Sequence, residues 1–269
     1  MDEPVLCAAL ARAGIRAQVL AWDDPAAPFA EARLTVLRST WNYPHRPDDF
    51  LRWAAARGPR LLNPLGVVRW NTHKRYLDDL AAGGLPVVPT RFVARGSGAS
   101  LAGVLDDHGW STVVVKPAIS AGSLHTRRIG RGELAGHQAW LAAMVAERDM
   151  MVQPYLDSVE GYGERAIVAI DGEITHAVRK APRFAGGEEH VSEAVALLPE
   201  ERRFARAALE LAEARFPEPR LLYARVDVAR DARGELVLME LELVEPSLFL
   251  LQCPAALERF VAAIGERLR

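Results

Sequence analysis

The feature that most restricts what this chain can fold into is a hairpin close to its C-terminus. Residues 221–228 and 235–244 are two alternating apolar runs separated by Asp231-Ala232-Arg233-Gly234, a turn composition that joins antiparallel strands. Side chains alternate across a strand. The first run therefore sets Leu222, Ala224, Val226 and Val228 on one face, and Tyr223, Arg225 and Asp227 on the other. In the second run Glu240 and Glu242 share a face opposite Met239, Leu241 and Leu243. Pairing Arg230 with Glu235 across the turn puts Asp227 opposite Leu238 and Arg225 opposite Glu240. Asp227, Glu240 and Glu242 then share one face, with Asp227 and Glu240 as diagonal neighbours whose α-carbons are about 7–8 Å apart. Crowded carboxylates repel and raise one another's pKa unless a cation joins them, and hard oxygen ligands suit Mg²⁺. A solvated sheet face with Arg225 paired to Glu240 is the other reading of the same residues. Ser247, just past Glu245-Pro246, directs a hydroxyl to the same region.

Along the rest of the chain, strand-like and helix-like stretches alternate, which argues for an α/β fold class. Helices are expected over 4–13 (closed by Gly14), 48–56, 134–147, 200–214 and 255–268. Another is expected over 72–82, capped by Asn71 and closed by Gly83-Gly84. Strands are expected over 16–20, 34–37, 112–115 and 150–153, and over 166–170 and 173–178 around Asp171-Gly172. Residues 87–94 read as extended chain. An α/β domain usually opens on a strand, whereas this chain opens on a helix. An N-terminal lobe without its first strand, or with another topology, is therefore expected. A chain of 269 residues that is 50% hydrophobic is long enough for two or three lobes, divided here as 1–67, 68–148 and 149–269.

A formal net charge of −2 provides no basic field to recruit nucleic acid. No apolar run approaches the ~20 residues of a membrane span. The acidic N-terminus lacks the layout of a signal peptide. Cys7 and Cys253 form no CxxC pair, so a cytoplasmic location is expected. Neither GxGxxG nor GxSxG occurs, which argues against a dinucleotide oxidoreductase and a serine hydrolase. The sequence leaves a homodimer open.

Two lysines stand out. Lys116 ends the apolar strand and is kept extended by Pro117. The small residues 118–123 that follow allow backbone N–H groups to approach phosphate oxygens. Lys74 falls in the first turn of the helix expected after Asn71. The positive helix end disfavours a cation there by ~0.3–1 kcal/mol unless an anion binds nearby. Taken singly, each lysine also reads as a surface residue.

Asn71-Thr72-His73-Lys74, Val114-Val115-Lys116-Pro117, Val152-Gln153-Pro154-Tyr155-Leu156, Gly163-Glu164, Asp227 and Glu240-Leu241-Glu242 follow one another in that order. This ordered set resembles the ATP-grasp superfamily, in the branch with glutathione-synthetase-like ATP-binding domains, from about residue 38 to 247. The resemblance implies an N-terminal α/β lobe and two α+β lobes enclosing ATP. It implies that Lys74 and Lys116 contact the phosphates and that Gln153, Pro154, Tyr155 and Leu156 form the adenine hinge. Glu164 would hold the ribose, and Asp227, Glu240 and Glu242 would ligate Mg²⁺, two ions in all. Lys180, with Lys116, would serve the transferred phosphoryl group, and Arg225 would either steer the substrate carboxylate or support Glu240. Arg38, Ser39 and Ser247 would meet an amino-acid-like small-molecule substrate. The activity implied is carboxylate–amine ligation through an acylphosphate, and a nucleotide-binding module without catalysis is the alternative.

Two departures bear on the substrate. The loop over 183–190 is short and acidic, and Ala166 stands where glutathione-synthetase-type chains have an arginine. Together with Arg38-Ser39-Thr40-Trp41 and Tyr223-Ala224-Arg225-Val226-Asp227, they resemble a small bacterial subgroup. That subgroup includes the enzyme that cyclises O-ureido-serine to cycloserine.

Overall fold

The computed structural model describes residues 2–181, 190–217 and 220–269. Ten strands build three sheets among them. Strands β1 (Thr35–Val36) and β2 (Leu61–Leu62) form a short parallel pair. Strands β3 (Arg91–Val93), β4 (Thr112–Pro117), β5 (Arg127–Gly130) and β6 (Met150–Pro154) form an antiparallel sheet in the order β3-β6-β4-β5. Strands β7 (Glu164–Ile170), β8 (Glu173–Lys180), β9 (Tyr223–Arg230) and β10 (Leu236–Glu242) form another, ordered β10-β9-β7-β8. No helix among the described residues is long and apolar enough to cross a membrane.

The sheet ending in β10 is buried on both faces, which explains why its strands read as nearly continuous apolar runs. Ile167, Ala169, Ala224, Val226 and Leu241 pack into the core that includes Ala205, Ala208 and Ala212 of the helix Pro199–Glu213. The alternate residues Ala166, Val168, Ile170, Val178 and Tyr223 pack against the helices Glu3–Arg12 and Pro254–Arg267. Alternation carries this second face onward to Glu164, Lys180, Arg225, Asp227, Glu240 and Glu242. One side of a single sheet is thus apolar beneath two helices and charged beyond them. Asp171 and Gly172 both take positive φ, 50° and 74°, as a two-residue hairpin turn requires.

Several expectations need correction. The hairpin is offset from the register read off its turn: Arg230 pairs with Leu236, not Glu235, and a bulge follows between Leu238 and Glu240. The offset at the turn reverses the faces and the bulge at Met239 reverses them back, so Asp227 stands directly opposite Glu240 and Arg225 opposite Glu242. No strand forms over 16–20; Val19 is 70% exposed and has no neighbouring strand to pair with. The helix expected over 72–82 is two helices, Leu65–Thr72 and Tyr76–Ala82. Asn71 lies inside the first of these and caps nothing. Its amide donates to the Leu241 carbonyl and accepts from the Leu243 N–H, both at 2.8 Å. The helix Leu101–His108 was not anticipated, although Ser100 accepts from the Gly103 N–H at its start and Gly109 closes it with φ 67°.

Candidate active site

The charged face of the β10 sheet looks across a cleft at the β3–β6 sheet. Val113, Val115 and Val152 turn into the core shared with the helix Leu134–Glu147, so alternation turns Val114, Lys116 and Gln153 the other way, where they line the cleft. The cleft has a volume of about 310 Å³, within the usual range for small-molecule sites. Lys74, Lys116, Gln153, Pro154, Tyr155, Leu156, Glu164, Lys180, Arg225, Glu240, Glu242 and Ser247 all line it. Residues separated by up to 173 positions in sequence therefore share one cavity.

Lys74 reaches the cleft from the break between two helices, where its backbone N–H donates to the Ala118 carbonyl at 2.8 Å. Its ammonium donates to the Ser120 carbonyl at 3.3 Å and lies 3.5 Å from a Glu240 oxygen. Lys116 pairs with the other Glu240 oxygen. Lys180 pairs with Glu164 and lies 3.0 Å from Asp227. Arg225 grips Asp227 with two bonds of 2.8 Å and also pairs with Glu242. Its partner in the ladder is Glu242, not the Glu240 expected from the turn.

These pairings set the electrostatics. Burial alone would raise the Glu240 carboxyl, but the charges of Lys116 and Lys74 outweigh it and bring it down to about 2. At Asp227 burial is likewise outweighed, by Arg225 and then Lys180, which hold it well below the usual carboxylate range. Glu164 and Glu242 behave oppositely. Burial, with Asp227 nearby, pushes each up to about 7 despite Lys180 and Arg225 respectively. Glu164 and Glu242 therefore retain an affinity for protons that a bound cation could take over.

Asp227 is 1% exposed beneath Lys180 and Arg225 and does not line the cleft. Among the described residues no group of three or more His, Cys, Asp or Glu side chains forms a ready metal cage. Glu240 and Glu242 do present carboxylate oxygens to the cleft, which is the donor chemistry Mg²⁺ takes. Arg38 donates to Asp2 at 3.1 Å and stacks over the Tyr223 ring, while Ser39 donates to Glu3 at 2.5 Å. Neither lines the cleft; Trp41 and Tyr43 of the same segment do. Trp41, Tyr43 and Glu245 were not singled out from the sequence. The signal was available in the aromatic run after residue 38 and the acid preceding Pro246. Ala166 faces Asp227 across the ladder, and residues 183–189 of the acidic loop lie outside the described residues.

A family model for the N-terminal domain of D-cycloserine synthetase DcsG matches residues 1–63. The cycloserine biosynthesis protein DcsG of Streptomyces lavendulae is 35% identical over 282 residues, covering all of this chain and 94% of that relative. The chain belongs to the DcsG family. The crystal structure of D-cycloserine synthetase DcsG matches with a TM-score of 0.92 at 33% identity, over 100% of this chain and 95% of that one. The ATP-grasp ligase PsnB, complexed with minimal precursor, Mg and ADP, matches with a TM-score of 0.66 at 15% identity, over 99% and 94% of the two chains. That second likeness is one of fold, and the fold is ATP-grasp. This DcsG-family chain is an ATP-dependent, amide-forming ligase.

Proposed function

We propose that the chain closes an O-ureido-serine-type amino acid into a cycloserine-type ring, forming an intramolecular amide at the expense of ATP. The observation that carries this reading is the placement of Lys74 and Lys116 on one wall of the cleft against Glu240 on the other. Two buried ammonium groups held by one carboxylate can exchange it for triphosphate oxygens, while the freed carboxylate takes a divalent cation. Of the three lobes expected at 1–67, 68–148 and 149–269, the second also takes in β6 (Met150–Pro154), which pairs with β3 and β4, and ATP lies between the second and third. The lysines grip phosphate, the backbone of 153–156 meets adenine, and Glu164 meets the ribose once Lys180 turns toward the transferred phosphoryl group.

Glu240 and Glu242 would hold magnesium, joined by Asp227 when Lys180 leaves it, and the carboxylate count suits two ions. When bound, magnesium neutralises phosphate charge. The substrate carboxylate attacks the γ-phosphorus, the bond to ADP breaks, and an acylphosphate forms. Lys116 and Lys180 balance the charge spread over the transferred oxygens. The nitrogen bonded to the side-chain oxygen then attacks the acyl carbon, phosphate departs and that nitrogen loses its proton; water removes its carbamoyl group, which leaves as carbon dioxide and ammonia, so that the ring nitrogen ends as N–H. The loop over 120–125, whose Gly122, Ser123 and His125 take positive φ, lies beside the cleft and would exclude water that otherwise consumes the intermediate.

Ser247 is proposed on the substrate side, Arg38 and Ser39 act there only through the Trp41–Tyr43 segment that follows them, and Arg225 positions Glu242. The test is an ADP-release screen over amino-acid and peptide carboxylates, including O-ureido-serine, with and without an added amine. ADP release with O-ureido-serine and no amine is expected. Release that always requires a separate amine would overturn the ring-closing reading.

A further inference from the structure

Among the described residues, in and beneath the cleft lie five carboxylates, Asp227 being the one below its surface, and four cations. Glu164, Asp227, Glu240 and Glu242 are each in an ion pair, and between them they engage Lys74, Lys116, Lys180 and Arg225. Glu245 is the fifth. It lines the cleft, is 6% exposed, and has no ion pair among the described residues. The Tyr43 hydroxyl and its own backbone N–H are hydrogen-bonded to it, and burial raises its pKa although Lys74 and Arg225 act on it from a distance. Tyr43 is itself buried, and its ring is fixed by stacking on Phe50 at 4.9 Å. Burial and then the charge of Glu245 raise its pKa well above 10, so its hydroxyl stays protonated.

A buried carboxylate without a cation is costly, and a fold that retains one beside a ligand cavity leaves the ligand to supply the charge. We infer that Glu245, with the Tyr43 hydroxyl, binds the ammonium group of an amino-acid substrate. A primary ammonium brings one positive charge and three N–H donors. One carboxylate and one phenolic oxygen match that demand. A divalent ion would need several hard oxygens at once, and Glu245 lies three residues beyond Glu242, beside Tyr43 of the N-terminal segment. The segment whose Arg38 and Ser39 are turned toward the first helix thereby still contributes to substrate selection, through Tyr43.

This inference rests on the reading of the cleft as a ligase site for an amino acid, and its failure can be told apart from the failure of that reading. The best acceptor from the ADP-release screen is compared with its des-amino counterpart on the parent, Glu245→Gln and Tyr43→Phe proteins. ATP affinity and the Mg²⁺ concentration for half-maximal rate are measured alongside. In the parent the des-amino compound should be poorer by about 100-fold in kcat/KM, the size expected for losing one partner of a buried charge pair. Glu245→Gln should erase most of that preference by raising KM for the amino acid, with ATP affinity and Mg²⁺ dependence unchanged. Tyr43→Phe should reduce the preference several-fold. A best acceptor that lacks an ammonium group would overturn the inference. So would a preference that survives Glu245→Gln, a shift in Mg²⁺ dependence in its place, or failure of Glu245→Gln to fold, which would mean that the fold itself uses the charge. Turnover of some other amino acid in place of O-ureido-serine would overturn the ring-closing reading and leave the Glu245 assignment to the same paired comparison.

Discussion

Asp227 and Glu240 stand directly opposite each other in the β9–β10 ladder, yet they draw on separate cations. Arg225 and Lys180 neutralise the first, and Lys116 and Lys74 the second. Like charges directly opposite each other in a sheet are destabilising. Here each is held by its own pair of bases, one pair from its own sheet and the other from across the cleft. The two walls of the cleft are tied by the Glu240 ion pairs as well as by the apolar packing of Met151 and Phe92 beneath them, and the ionic junction is what a nucleotide would open.

Glu240→Gln should separate chemistry from folding. ADP release should fall by about 100-fold or more, since a group that stabilises developing charge is lost. Two buried ammonium groups lose their counter-charge, which costs roughly 1–3 kcal/mol of stability in the protein without nucleotide. Mg²⁺-free ATP should bind at least as tightly as to the parent, because both lysines are then released for phosphate. Calorimetric titration with and without Mg²⁺ checks this, and normal ADP release would contradict the role of Glu240.

A pH dependence follows from Glu164 and Glu242, each pushed up to about 7 from an ordinary value of 4.5. Between those values the folded chain binds more protons than the unfolded chain, so these two groups make stability fall as pH rises from about 5 to 7. Asp227 and Glu240 are shifted the other way. Their contribution is fully present above the ordinary carboxylate range and is lost only as pH falls toward about 2. The melting temperature without ligand should therefore decline from pH 5.5 to 7.5. The added stability from Mg²⁺ and ATP should grow over the same interval. Thermal scans at constant ionic strength measure both, and Glu242→Gln should flatten the first slope.

The hairpin face was legible in the sequence because alternation is a property of the strand itself. Its register was not, since a bulge at Met239 leaves no compositional mark. The prediction of a shared face held because two offsets cancelled. The run over 16–20 failed for a different reason: a strand exists only where another strand pairs with it, and none passes there. Lys74 was found by its motif but misplaced by its helix, because Asn71 looks like a cap until its partners are known.

Those partners yield a prediction. Asn71 bonds the Leu241 carbonyl and the Leu243 N–H, the two backbone positions flanking Glu242. Asn71→Ala leaves both buried groups unsatisfied, at about 1–3 kcal/mol each. A loss of roughly 2–6 kcal/mol in urea denaturation is expected, together with a higher Mg²⁺ requirement, because β10 would no longer hold Glu242 in place. Unchanged stability would show that water replaces the amide.

Lys116→Ala tests the other wall. Lys116 sits at the end of an apolar strand, and its partner across the cleft is Glu240, which it shares with Lys74. Removing it leaves Glu240 with one cation, so the Glu240 carboxyl should rise from about 2 while staying ionised at neutral pH through Lys74. The loss in stability should accordingly be smaller than for Glu240→Gln, which strands two charges rather than half-freeing one. Nucleotide binding should respond in the opposite order. Glu240→Gln frees two phosphate-binding groups, whereas Lys116→Ala deletes one, and losing a charge-assisted bond to phosphate costs about 1.5–3 kcal/mol, or roughly 10- to 150-fold in affinity. Measured on one preparation of each variant, the ranking by stability and the ranking by Mg²⁺-free ATP affinity should therefore be opposite, with Lys116→Ala the more stable but the weaker binder. Equal ATP affinity in Lys116→Ala and the parent would remove Lys116 from the phosphate site and leave it only a structural tie to Glu240.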